Sequence, residues 1–375
     1  MSKNRPFKLY HALAPFAWLY GAGVALRNQL FDWHLLKSEE FDIPVVSVGN
    51  LAVGGTGKTP HVEYLIRLLS PQYNIAVLSR GYKRKTQGFV LADEQATAET
   101  IGDEPYQIAR KFPHVTVAVD ADRCHGIRKL RQLRPDVNLV LLDDAYQHRY
   151  VKPAVSVLLT DYRRTYDLDR LLPVGRLRES RSGARRAQII VVTKCPDSIT
   201  PIDMRITAMR LNPEANQHLY FSRFQYGMPK ALYADRAEIP TLEWSENKDM
   251  KLLLVTGIAN PQPICEYLEQ HKIAFELLAF DDHHDFDPKD LEEIALHFDR
   301  LGGTHRYILT TEKDAARLYG NTTLDEALKS RIYVLPIEAR MFPADGMPFD
   351  DQIRQAIGKE RRIPEHNRKY ALNNP

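Results

Sequence analysis

The chain has 375 residues, 44% of them hydrophobic and 26% charged, an ordinary globular composition that excludes a disordered, collagen-like or polytopic membrane protein. Fifty-one basic against 48 acidic side chains leave a net charge of +3, too small for a nucleic-acid coat, so no nucleic-acid partner is expected. The cysteines, Cys124, Cys195 and Cys265, are scattered and lack CxxC spacing, which argues against a disulfide framework or a zinc knuckle and fits a reducing cytosol.

The first element, Leu9 to Leu26, is apolar with His11 as its one titratable residue, bounded by Lys3, Arg5, Lys8 and Arg27. Pro15, Gly21, Gly23 and its shortness argue against a spanning helix, which needs about 20 apolar residues. A secretory signal conflicts with the nucleotide loop that follows. Two readings stay open: a monotopic helix laying Phe16, Trp18, Leu19 and Tyr20 into an anionic membrane surface, or a helix packed on the protein's own core. Residues 1–40 form this unit.

From Pro44 short β-branched runs alternate with helical patterns, the mark of βα units on a mostly parallel sheet. Strands are expected at Val45–Val48, Ile75–Ser79, Val115–Val119, Leu139–Leu142, Val155–Leu159 and Ile189–Thr193, within a P-loop domain over 41–212. The pattern HLYFSRF, a Tyr226-Gly227-Met228-Pro229 turn and KALY predict a two-stranded linker within 213–244. Leu252–Val255, Phe275–Phe280, Tyr307–Leu309 and Ile332–Leu335 alternate with helices in a smaller α/β domain over 245–360, followed by a frayed tail over 361–375. The expected fold is therefore α/β: two α/β/α domains, the larger a P-loop nucleotidase-like parallel sheet, joined by a short β-hairpin linker.

The sharpest motif is PVVSVGNLAVGGTGKTP, Pro44 to Pro60: a strand, a glycine-rich loop and a Lys-Thr pair opening a helix. Gly54, Gly55, Thr56 and Gly57 let backbone amides converge on phosphate oxygens, Lys58 reaches the terminal phosphates of ATP, and Thr59 offers a hydroxyl to magnesium. Ala52 stands where the strict Walker pattern has its first glycine; GGTGKT resembles instead the loop of ParA-like nucleotidases, whose usual lysine before the glycines is here Val53. The strand Leu139–Leu142 ends in Asp143 and Asp144, a carboxylate pair placed to hold magnesium directly or through water.

These blocks, together with SRGY (79–82), GDEP (102–105), DDAYQH (143–148), LLPVGRLRE (171–179), DDHHDF (281–286) and TEKDAARL (311–318), resemble the tetraacyldisaccharide 4'-kinase family of lipid A biosynthesis. They run in family order from near Pro6 to Leu318. The family's DDGFQH is here DDAYQH, which keeps both carboxylates, Gln147 and His148. The resemblance implies transfer of the γ-phosphoryl of ATP, with Mg2+, to the 4'-hydroxyl of a tetraacylated glucosamine disaccharide 1-phosphate, giving lipid IVA. It implies Asp103 as base on the sugar hydroxyl and His283 as the residue that orients or tunes it. By residue type alone Asp103 is also a good helix-start residue.

Eight arginines lie between Arg163 and Arg186, interrupted by Leu171, Leu172, Val174 and Leu177. Arginine forks grip phosphates, so this stretch suits an anionic head group or a solvated face. Arg178 and Glu179 are the substrate residues the resemblance favours, with Arg123 as a further phosphate ligand. TKCPD at 193–197 faintly echoes a base-reading NKxD loop, and helix-start chemistry explains it equally well. The protein is expected to act as a monomer, peripheral on the cytoplasmic face of the inner membrane, with the lipid A disaccharide precursor and the anionic membrane surface as partners. The alternative is a ParA-like ATPase switch working through a protein partner.

Overall fold

The computed structural model describes residues 7–244, 249–282, 284–303, 305–319 and 323–361. The strands of a first, nine-stranded sheet are β1 Val45–Asn50, β2 Ile75–Ser79, β3 Val90–Leu91, β4 Thr116–Val119, β5 Leu139–Asp143, β6 Val155–Asp161, β7 Ile189–Thr193 and β8 His218–Tyr226. The chain then builds a five-stranded sheet from β9 Lys230–Ala231, β10 Lys251–Thr256, β11 Ala274–Ala279, β12 Arg306–Thr311 and β13 Ile332–Leu335, and returns to the first with β14 Ile337–Met341. The helices are α1 Phe7–Asp32, α2 Lys58–Leu69, α3 Ala98–Ile101, α4 Asp103–Lys111, α5 Arg123–Leu133, α6 Pro201–Leu211, α7 Gln262–Gln270, α8 Pro288–Arg300, α9 Glu312–Leu318, α10 Glu326–Lys329 and α11 Phe349–Arg361.

Both sheets are mostly parallel, so both faces must be covered, and their strands read as continuous apolar runs. In β1 successive side chains enter opposite layers: Val46 and Val48 pack with Val62, Leu65 and Ile66 of α2, whereas Val45 packs with Ile127 and Leu130 of α5. The ten strands expected from the sequence all form, with ends shifted by no more than two residues. The order β6-β1-β5 places the strand of the glycine loop directly beside the strand that ends in the carboxylates, Val48 opposite Asp143.

The expected local hairpin does not form. β8 pairs in parallel with β7 in the first sheet, while β9 pairs antiparallel with β13 in the second. The two-stranded element between the sheets is instead β8 with β14, antiparallel from Ser222 opposite Met341 to Tyr226 opposite Ile337. The C-terminal segment also departs from the expected boundaries: Phe349, Ile353 and Ile357 of α11 lie in the core of the first sheet. Among the described residues no helix is long and apolar enough to cross a membrane. The N-terminal helix exposes Phe16, Trp18, Leu19 and Leu26, each more than half accessible, and buries Phe31 near its end.

Candidate active site

Residues 51–57 connect β1 to α2 in a loop that only glycine permits at two points. Gly54 has φ +107° and Gly57 φ +86°, the left-handed region that penalises a Cβ. A Cβ on Gly57 would also stand 2.4 Å from Phe224 Cζ on β8. Side chains then fix the loop from beneath. Asn50 Nδ2 donates to Thr56 Oγ1 at 2.8 Å and Thr193 Oγ1 donates to the Thr56 carbonyl at 2.8 Å. Lys194 donates to the Gly55 carbonyl and pairs with Asp161 at 3.0 Å. From the side, the Val53 amide donates to the Arg176 carbonyl and the Arg178 amide to the Leu51 carbonyl, both at 2.7 Å.

The first turn of α2 is anchored by His61. Its Nδ1–H donates to the Gly57 carbonyl at 2.7 Å, and the Ser222 hydroxyl on β8 donates to Nε2 at 2.9 Å. Burial pushes this imidazole down to about 4, so it stays neutral and the tautomer is set by the carbonyl. The glycine loop is thus braced by the strand that leads toward the second sheet.

Lys58 at the head of α2 lies 3.6 Å from Asp144, whose backbone takes φ +48° just past β5. Arg178 forks onto the same carboxylate at 3.0 Å. Burial alone would raise the Asp144 carboxyl, but Lys58 and Arg178 outweigh it and hold it below the usual carboxylate range. Asp143 is buried at 4% exposure; that burial, then the neighbouring Asp144 charge, pushes it up to about 7. Its Oδ1 is buried and without a hydrogen-bond partner among the described residues. A buried carboxylate oxygen with an unused lone pair fits one protein ligand of a magnesium ion that takes its other ligands from phosphates and water. No group of three or more ligating His, Cys, Asp or Glu side chains stands together among the described residues.

Arg123 and Glu179 do not lie where a surface-binding role would put them. Arg123, the first residue of α5, is 3% exposed and donates to the carbonyls of Asp120 and Ala121; burial lowers its pKa while Asp143 and Asp144 oppose that shift. Glu179 is 2% exposed, gripped by Arg186 at 2.8 Å, by Gln147 at 3.0 Å and by Asn28 of α1 at 3.1 Å. It is a buried hub that ties α1 and the arginine segment to the carboxylate turn, because its negative charge is already matched.

Asp103 opens α4, but Gly102 caps the helix, at φ +94°. Its carboxylate instead accepts from Arg317 Nε at 3.0 Å and Nη2 at 2.5 Å. Arg317, on α9, also reaches Asp314 at 3.2 Å. The next residue, Glu104, is close enough to Asp143 to help raise its pKa, which places the start of α4 toward the carboxylate turn. At the other end of α4, Lys111 bridges Glu63 of α2 at 2.6 Å and Glu312 of α9. His283 lies outside the described residues. Its neighbour His284 is held by Asp290 at 2.7 Å and stacks on Phe280.

The structure therefore gathers Gly54, Gly55, Thr56, Gly57, Lys58, Thr59, Asp143, Asp144 and Arg178 at the carboxyl ends of β1 and β5. Sequence reasoning did not single out Asn50, His61, Gln147, Lys194 or Arg317 as working residues. Asn50, Gln147 and Arg317 sit inside the quoted motifs, and Lys194 was visible as the TKCPD echo; nothing local marks His61.

A parallel sheet with a glycine loop opening a helix, and a carboxylate pair ending the adjacent strand, defines a P-loop phosphotransferase. The family model described as tetraacyldisaccharide-1-P 4'-kinase matches residues 9–358. The tetraacyldisaccharide 4'-kinase of Bacteroides fragilis (strain YCH46) is 52% identical over 368 residues, 97% of this chain and 98% of that protein. That of Flavobacterium johnsoniae is 48% identical over 352 residues, covering 94% and 98%. A crystal structure of LpxK from Aquifex aeolicus in complex with ATP superposes with a TM-score of 0.72 at 28% identity, covering 94% of this chain and 99% of that one. The chain belongs to the tetraacyldisaccharide 4'-kinase family and is a kinase of lipid A biosynthesis. The ATPase-switch alternative has no support in these relationships.

Proposed function

We propose that this chain transfers the γ-phosphoryl group of ATP to the 4'-hydroxyl of a tetraacylated glucosamine disaccharide 1-phosphate, yielding lipid IVA. The observation that supports the reading is the pairing of β1 with β5, Val48 opposite Asp143, which sets the glycine loop and the carboxylate turn side by side with Lys58 3.6 Å from Asp144. Backbone amides of the loop and the α2 N-terminus bind the phosphates, and Lys58 neutralises the charge that builds on the transferred group. Asp143 and Thr59 would hold magnesium, which would supply positive charge against the phosphates. Asp144 keeps Lys58 and Arg178 oriented.

Asp103 accepts the proton of the attacking hydroxyl, with Arg317 fixing its carboxylate and His283 tuning it. Arg178 binds the anionic acceptor. Arg123 balances the charge of the carboxylate turn from inside, and Glu179 positions Arg178 rather than touching the lipid. The two sheets act as two bodies that close on the acceptor about the β8/β14 pair, and the protein works as a monomer on the cytoplasmic face of the inner membrane. The exposed apolar side chains of α1 support the interfacial reading of that helix.

The test is transfer of labelled phosphate from ATP to the detergent-dispersed disaccharide lipid in the presence of magnesium. Label must appear in the lipid; release of free phosphate alone rejects the proposal.

A further inference from the structure

Away from the phosphate cradle, α6 carries an apolar stripe that the reaction does not use. The helix starts at a Thr200–Asp203 capping box with Pro201 in its first position, so its ends are well defined. It buries only Thr207 and Leu211, and leaves Ile202 71%, Ile206 55% and Met209 73% exposed. Spacings of four and three residues put these three side chains on one helical face. Three large apolar groups together on a surface helix mark a contact surface rather than scattered exposure.

The surroundings are charged in one sense. Arg163, Arg170, Arg181, Arg185 and Arg205 are exposed. The acids of the same region are turned in or matched: Asp169 is 1% and Glu179 2% exposed, Asp161 is paired with Lys194, Asp167 with Arg210, Glu214 with Arg185 and Asp197 with Arg223, and Asp203 is engaged in the α6 capping box. The outward face is therefore apolar and cationic, the complement of an anionic lipid headgroup layer rather than of an acid-poor protein surface.

The arginine segment touches both α1 and α6. On one side the Tyr20 hydroxyl donates to the Arg178 carbonyl at 2.7 Å, and Leu171 packs against Gly21. On the other, Arg210 of α6 donates to Thr165 Oγ1 at 2.9 Å and pairs with Asp167 at 2.8 Å. Leu171, Ile199 and Leu211, the last on α6, share one core cluster.

We infer that α6 is a second bilayer contact, with Ile202, Ile206 and Met209 entering the headgroup boundary and the exposed arginines binding anionic lipid between the two helices. The inference rests on the interfacial reading of α1. A single interfacial helix leaves rotation about its own axis free; a second foot fixes the orientation of the phosphate cradle relative to the bilayer.

The experiment is cosedimentation of the full chain with vesicles of phosphatidylcholine alone or mixed equally with phosphatidylglycerol. Replacing Ile202, Ile206 and Met209 together by Ser should weaken binding to the mixed vesicles about tenfold, with an unchanged circular dichroism spectrum and unchanged turnover of detergent-dispersed acceptor. A parallel variant replaces Phe16, Trp18 and Leu19 by Ser. Loss of binding in the α1 variant but not the α6 variant overturns this inference and leaves the α1 reading standing; unchanged binding in both overturns the two together. Light scattering in vesicle-free buffer gives a further outcome: a wild-type dimer that the α6 variant dissolves assigns the stripe to a second copy and overturns the inference.

Discussion

Arg317 of α9 holds Asp103 of α4 through two guanidinium nitrogens, at 3.0 and 2.5 Å, across 214 positions of sequence. The Arg317 side chain is 4% exposed, so removing it takes the guanidinium fork from the carboxylate of the proposed base and leaves a buried gap between α4 and α9. Arg317→Ala should cost roughly 3 kcal/mol of stability, the scale for breaking a buried pair. Turnover should fall about 100-fold through misplacement of Asp103, with ATP affinity retained. Arg317→Lys keeps the charge but loses the fork, and should recover turnover only in part. Steady-state kinetics and urea unfolding of the two variants check this; full activity in Arg317→Ala removes the positioning role.

Lys111 sits between Glu63 and Glu312 and so links α2, α4 and α9. Burial, then repulsion from Glu312, raises the Glu63 carboxyl to about 7. The native state thus holds a proton that the unfolded chain releases at its ordinary value, and stability falls as pH rises from about 4.5 to about 7. Glu63→Gln should flatten that slope, measured by urea unfolding across the window. An equally steep decline in the variant assigns the pH dependence elsewhere.

Most of the framework was legible in the sequence because its parallel strands are buried on both faces and read as apolar runs, and because GGTGKT and DD carry their chemistry in contiguous residues. What was hidden depends on long-range pairing. The sequence HLYFSRF next to KALY invites a hairpin, yet β8 finds better cover beside β7 and β14, and the Ile337–Met341 strand carries no turn signal linking it to residue 222. Nothing in the local sequence marks Glu63 as buried; Gln107 and Lys111, which hold its carboxylate at 2.8 and 2.6 Å, come from the distant α4. Glu179 read as a substrate ligand because the motif says nothing about Arg186 folding back over it.

The glycine loop yields a paired test. Gly57→Ala meets both the left-handed backbone penalty of about 1–2 kcal/mol and the ring of Phe224, whereas a Cβ on Gly55 has nothing within 4 Å. Thermal melting should show a clear drop for Gly57→Ala and none for Gly55→Ala. Equal melting temperatures contradict the assigned loop geometry.

The carboxylate pair should separate by magnesium titration. Asp143→Asn removes the proposed metal ligand and should raise the magnesium concentration for half-maximal activity about tenfold or more. Asp144→Asn frees Lys58 and Arg178, and should mainly raise the KM for ATP. The reverse assignment of effects exchanges the two roles.

The most direct test of the account is to measure ATP binding and acceptor phosphorylation side by side in Asp103→Ala and Lys58→Ala. Asp103→Ala should bind ATP as the wild type does while labelling the lipid about 1,000-fold more slowly, and Lys58→Ala should lose both functions. An Asp103→Ala enzyme that phosphorylates the disaccharide at the wild-type rate contradicts the proposed site.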